Sequence, residues 1–277
     1  MLIHSTGVQP PNALSYGMFV EAAYQAYAAN LNNLNPSQSD YPSFPEGYEL
    51  YLNVQMTDFF LGNTYPKYYG FIARNTANPG QLVMAIRGTQ TWQEWWDDFD
   101  WALVPYPYAQ SAGKVANGFL KIYKTFAVTV PGSDAPATLL ENETSLPEGT
   151  TSIVAVGHSL GSALVTLYAL NVAARGALNP TVYTLASPRV GDRSFANAYD
   201  NTVATNFRIY NWPDLVPDFP KDPFDNYYHV KGAYEVDSLD HPLTVKMTVD
   251  CFHSVLTYLY LLGAPSSILG GWEGCGY

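Results

Sequence analysis

The chain has 277 residues, 47% of them hydrophobic, which is enough for one large α/β domain with a substantial core. Only 13% are charged, about half the usual share, and the formal net charge is −11. A nucleic-acid backbone or an anionic bilayer is therefore repelled on average, a neutral or weakly charged partner fits better, and no apolar run approaches the roughly 18 residues of a membrane span.

The two cysteines, Cys251 and Cys275, show no metal-ligand spacing but can form one bridge near the C-terminus. A composition rich in Tyr and Pro and poor in charge is in the style of secreted proteins, so an extracellular location is expected, with any signal segment outside this chain. No repeat divides the sequence. The loose stretch 130–149 lies between core-like segments, and a single domain over residues 1–277 is expected, as a monomer.

Residues 14–29 predict an N-terminal helix. After it, 68–89 holds two apolar runs joined by Asn78-Pro79-Gly80, the pattern of an antiparallel hairpin. Residues 113–128 predict a helix. There follow a strand at 152–156, a helix at 160–175, a strand at 181–186, a short helix near 192–200, a strand at 205–211, a further strand at 228–236 and a last helix near 250–262. Strands alternating with helices predict an α/β fold, a mainly parallel central sheet covered on both faces.

The stretch "VAVGHSLGSALVTL" runs from a β-branched strand through Gly157-His158-Ser159-Leu160-Gly161 into a helix pattern. This is the G-x-S-x-G nucleophile elbow, in which a strained strand-to-helix turn exposes the serine hydroxyl and the glycines permit close backbone approach. His158 is expected to be a structural hydrogen-bonding residue.

A serine nucleophile needs a histidine to take its proton and a carboxylate to hold that histidine in the right tautomer. In elbow hydrolases the acid and then the base follow the serine. Asp214 comes directly after the apolar strand 205–211, in a Pro-bounded turn at its C-terminal end, where ligand and catalytic residues gather in open α/β sheets. Asp218, Asp222 and Asp225 lie further into the loop and read as solvated surface. Of the three downstream histidines, His253 opens the last apolar helix, a rigid mount for a general base. His241 precedes a proline in a polar turn, and His229 sits in an alternating strand-like run; both remain candidates.

Several motifs together resemble the class 3 lipases, the filamentous-fungal type of triacylglycerol lipase that also includes feruloyl esterases. They are "MAIRGT" (84–89), "VANGFLKIY" (115–123), "VAVGHSLGSALVTL" (154–167), "YTLASPRVGDRSFA" (183–196), "NWPDLVP" (211–217) and "HSVLTYL" (253–259), in family order. The resemblance implies an α/β-hydrolase fold with Ser159 as nucleophile, Asp214 as acid and His253 as base. It also implies an oxyanion hole formed by Thr89 and the N–H of Leu160.

The segment after Thr89 holds Trp92, Trp95, Trp96, Phe99 and Trp101. By the same resemblance, 90–101 is a lid over the site and Asp98 braces Thr89. Trp92, Trp95 and Trp96 fall at spacings of three and four, so a helix presents them on one face, suited to an oil–water interface. The expected function is carboxylic ester hydrolysis on acylglycerols, needing no cofactor or metal. Feruloyl esterase and phospholipase A1 activity on the same scaffold are the alternatives, and a catalytically silent lipid-binding relative is the rival from another class.

Overall fold

The computed structural model describes residues 8–59, 62–89, 99–133, 135, 137–139, 148–176, 178–221, 224, 226–271 and 274–277. Helix α1 (Ala13–Ala29) lies where the N-terminal helix is expected. Strands β1 (Tyr48–Met56), β2 (Lys67–Asn75) and β3 (Gln81–Ile86) follow, with β2 and β3 forming the expected hairpin. Next come β4 (Leu103–Pro105), β5 (Lys114–Ala116), α2 (Asn117–Tyr123), β6 (Ala127–Thr129) and β7 (Thr138–Leu139). The second half runs β8 (Ser152–His158), α3 (Leu160–Ala174), β9 (Thr181–Leu185), α4 (Arg193–Thr202), β10 (Thr205–Asn211), β11 (Ala233–Val236), α5 (Val249–His253) and α6 (Val255–Leu261).

One sheet has the order β11-β10-β9-β8-β3-β2-β1-β6-β7. From β3 to β11 neighbouring strands are parallel; β2, β1, β6 and β7 extend it antiparallel. The parallel part carries the site. Strand β8 is buried on both faces in its second half, and α3 is apolar around most of its circumference, so both belong inside the molecule. On one face Phe119, Leu164, Leu167, Phe195 and Tyr199 form a core. On the other, α1 and α6 pack Phe19, Leu256 and Leu259 against the sheet, which contributes Phe71.

Three differences from the sequence expectation have local causes, and one long strand was not expected. Residues 113–128 are helical only over Asn117–Tyr123, because Lys114–Ala116 pairs with Leu103–Pro105 and Ala127–Thr129 pairs with β1. The run 228–236 is a strand only over Ala233–Val236; the chain bends at Lys231 and Gly232, and Tyr228 makes an isolated bridge to Gly191. The last helix is broken in two at Ser254, whose backbone is extended and whose hydroxyl accepts from Leu256 N–H. Strand β1 is not among the expected elements: Tyr48, Leu50, Leu52, Val54 and Met56 fall at alternate positions, but Tyr51 interrupts the pattern and the pairing with β2 shifts register between Leu50 and Leu52.

Candidate active site

Ser159 stands between β8 and α3 with φ 56° and ψ −125°, a left-handed conformation that a non-glycine residue adopts at a cost of about 1–3 kcal/mol. The turn is sharp because the glycines allow it. A Cβ on Gly161 meets the Ile86 carbonyl oxygen at 2.2 Å, and one on Gly157 meets that of Gly161 at 2.5 Å. The Ser159 N–H donates to the Leu185 carbonyl, which ties the elbow to the next strand.

His253 Nε2 lies 2.8 Å from Ser159 Oγ, and its Nδ1 lies 2.9 and 3.1 Å from the two carboxylate oxygens of Asp214. All three residues are buried. A carboxylate only accepts, so Nδ1 carries the proton and Nε2 presents its lone pair to the serine hydroxyl. Asp214 also accepts from the Val216 N–H at 3.0 Å and the Tyr258 hydroxyl at 2.8 Å. Burial and the neighbouring carboxylate hold the Tyr258 phenol well above its usual range, so it stays a donor. The arrangement can move a proton from Ser159 to His253 while Asp214 balances the imidazolium that results.

Thr89 and Leu160 flank this serine. Leu160 opens α3, so its N–H is among those with no helical acceptor. Thr89 follows the end of β3, where its Oγ1 is buried and makes no hydrogen bond among the described residues. The preceding residue is pinned on both sides: the Gly88 N–H donates to the Tyr24 hydroxyl at 2.8 Å, and Arg87 Nη1 donates to the Gly88 carbonyl at 2.6 Å. In a trans peptide the N–H of Thr89 points opposite that carbonyl, so Arg87 fixes its direction. Arg87 is itself held by the Tyr68 carbonyl and lies 3.5 Å over the Tyr27 ring.

His229 and His241 are not brought to the serine. His229 donates to the Pro217 carbonyl from Nε2, bracing the turn that carries Asp214, and burial with the nearby Arg208 pushes its imidazole down to about 3. His241 Nδ1 sits 3.3 Å from the Tyr260 hydroxyl. Asp218 is exposed, as expected for surface. Asp222, Asp225, Trp92, Trp95, Trp96 and Asp98 lie outside the described residues.

At the end of the expected lid span 90–101, Phe99 is buried in the core and the partly buried Trp101 packs against it. Their rings lie 4.4 Å apart and both meet Phe119, and the chain then enters the β4–β5 pairing. Tyr24, Arg87 and Tyr258 escaped the sequence reading. A tyrosine in an apolar helix signals packing, and only the fold places its hydroxyl here.

The profile described as Lipase (class 3) matches residues 83–224, which hold Ser159, Thr89 and Asp214. The chain belongs to the class 3 lipase family. It is 32% identical over 226 residues to the rice (Oryza sativa subsp. indica) protein named Phospholipase A1-II 3, covering 73% of this chain and 53% of that one. To the Lipase of Rhizomucor miehei it is 30% identical over 191 residues, covering 65% and 50%. This class 3 lipase chain thus spans about half the length of those relatives. A solved Rhizomucor miehei triacylglyceride lipase superposes with a TM-score of 0.59 at 25% identity, covering 84% of this chain and 82% of that one. The fold is that of an α/β-hydrolase lipase.

Proposed function

We propose that the protein hydrolyses carboxylic esters of acyl lipids through an acyl-enzyme on Ser159. The continuous hydrogen-bonded line from Ser159 through His253 to Asp214, with the serine on a strained elbow, is the observation that carries this. Ser159 Oγ attacks the ester carbonyl as its proton passes to His253 Nε2. The oxyanion is received by the N–H groups of Thr89 and Leu160 and by the Thr89 hydroxyl. His253 then gives its proton to the departing alcohol, and water repeats the sequence to free the acid.

Triacylglycerol and phospholipid substrates are both in view, the second because the rice relative is named a phospholipase A1. Acyl ester cleavage is common to both. The Cys251–Cys275 disulfide supports a secreted or otherwise oxidising location.

The test compares the intact protein with Ser159→Ala on p-nitrophenyl butyrate, emulsified triolein and phosphatidylcholine. The alanine variant is expected to lose at least about 10³-fold in kcat on every ester the intact protein cleaves, and to lose labelling by a fluorophosphonate, with its melting temperature preserved. Activity or labelling that survives in Ser159→Ala refutes the assignment. The ratio of the triolein and phosphatidylcholine rates decides between the two substrate classes.

A further inference from the structure

His158 precedes Ser159, yet its side chain does not face the reacting atoms. It is buried between α1 and the segment that carries His253, and both ring nitrogens are engaged. Nε2 lies 2.8 Å from the main-chain carbonyl of His253. A carbonyl can only accept, so Nε2 carries the proton and Nδ1 is left with its lone pair. Nδ1 lies 2.8 Å from the Tyr24 hydroxyl, which must therefore donate to it. The same Tyr24 oxygen accepts the N–H of Gly88 at 2.8 Å.

The result is one directed chain: Gly88 N–H to Tyr24, Tyr24 O–H to His158, His158 N–H to the carbonyl of His253. The His253 carbonyl stands at the end of its short helix, where the chain turns extended at Ser254. At one end lies Gly88, the residue before Thr89, and at the other the main chain of the general base. The His158 and His253 rings are 4.8 Å apart. A charged His158 would oppose the imidazolium that forms on His253 during the reaction. Burial, followed by His253 itself, holds His158 well below the usual imidazole range, and the Tyr24 proton occupies the nitrogen that would otherwise take one.

We propose that Tyr24 and His158 are positioning residues that join the oxyanion-binding turn to the general base and set both against Ser159. The proposal rests on the catalytic roles proposed above for Ser159, His253 and Thr89. Neither residue touches the substrate; each acts through the groups it holds. A misplacement of about 1 Å at such a site costs on the order of 10²-fold in rate.

The experiment measures kcat and KM on p-nitrophenyl butyrate, with melting temperatures, for Tyr24→Phe, His158→Leu, His158→Gln and the double variant Tyr24→Phe/His158→Leu. His158→Leu is expected to lower kcat by roughly 30- to 100-fold with KM within about twofold. Glutamine places an amide N–H where Nε2–H stands, so His158→Gln is expected to recover about tenfold of that loss. Tyr24→Phe is expected to lower kcat about tenfold, and the double variant to be no worse than His158→Leu alone, because members of one chain do not add. Should His158→Leu fail to fold, Tyr24→Phe and His158→Gln decide by themselves, since each removes little volume. A Tyr24→Phe variant with kcat within about twofold of the intact protein overturns the proposal, as do losses that multiply in the double variant or that fall on KM alone. Ser159→Ala, run in parallel, separates the two levels: if it stays active the catalytic assignment fails, and if it is inactive while Tyr24→Phe is unimpaired only the positioning proposal fails.

Discussion

Ser159 and Asp214 stand at the same edge of the sheet, at the ends of β8 and β10, and are held there by different means. The serine is fixed by backbone sterics. Gly161 lies against the end of β3, the elbow amide bonds to β9, and α3 is buried along most of its length. Asp214 and His253 depend instead on side-chain ties across long stretches of sequence. Tyr258 reaches Asp214 across 44 positions, and Asn211 Nδ2 reaches the Phe252 carbonyl across 41. The five-residue helix that ends in His253 is capped by Thr248 and bridged from Cys251 to Cys275. One part of the site is therefore as rigid as the core, and the other is as rigid as its tethers.

Asp214→Asn attacks the second part at its centre. The amide keeps the shape but can no longer hold Nδ1 as the donor, so kcat on a soluble ester is expected to fall by roughly 10⁴-fold with an unchanged melting temperature. A loss below about tenfold would place the acid elsewhere. Gly161→Ala attacks the first part. With its Cβ 2.2 Å from the Ile86 carbonyl oxygen, it is expected to destabilise the fold by on the order of 3 kcal/mol, read from the urea midpoint.

Removing the disulfide by Cys251→Ser and Cys275→Ser is expected to cost about 3 kcal/mol. Its effect should be unequal between the two parts. Amide exchange is expected to rise in 249–277 while 152–174 stays protected; a uniform rise would abolish the contrast drawn between them.

Helix α1 packs against β3, β8 and α6, and so touches both parts. It contains Glu21, which is buried, accepts only from Gln25, and has one carboxyl oxygen without a partner among the described residues. Burial raises its pKa from 4.5 to about 7. The folded state then holds a proton that the unfolded state releases, so stability is fully present below pH 4.5 and declines as pH rises through 7. The loss is up to about 3 kcal/mol. Glu21→Gln is expected to flatten that decline, raising the melting temperature at pH 8 and leaving it unchanged at pH 4. Equal shifts at both pH values would show that folding leaves the pKa of Glu21 unchanged.

Tyr258→Phe removes one of the donors on Asp214 and keeps the ring. Its expected effect is the smallest, about a tenfold fall in kcat. A null result would mean that the Val216 N–H and His253 suffice to hold the carboxylate.

The elbow was legible because its cause is local. Only glycine fits at positions 157 and 161 when strand, serine and helix must follow within five residues, and those residues are adjacent in the sequence. The strands β8 and β9 were legible for the same kind of reason, since short β-branched and apolar runs bounded by turn residues read as buried strands. For the acid and the base, the sequence supplied a short set of candidates and a chain order. It could not choose His253 over His229 and His241 by geometry, because that choice depends on where β10, the break at Ser254 and the disulfide bring the backbone. Tyr24, Arg87 and Tyr258 were decided by tertiary structure alone, and for His158 the sequence supplied a structural hydrogen-bonding role but not its partners. Each is a polar group in an apolar neighbourhood, and its partner, up to 134 positions away, exists only once the sheet has formed.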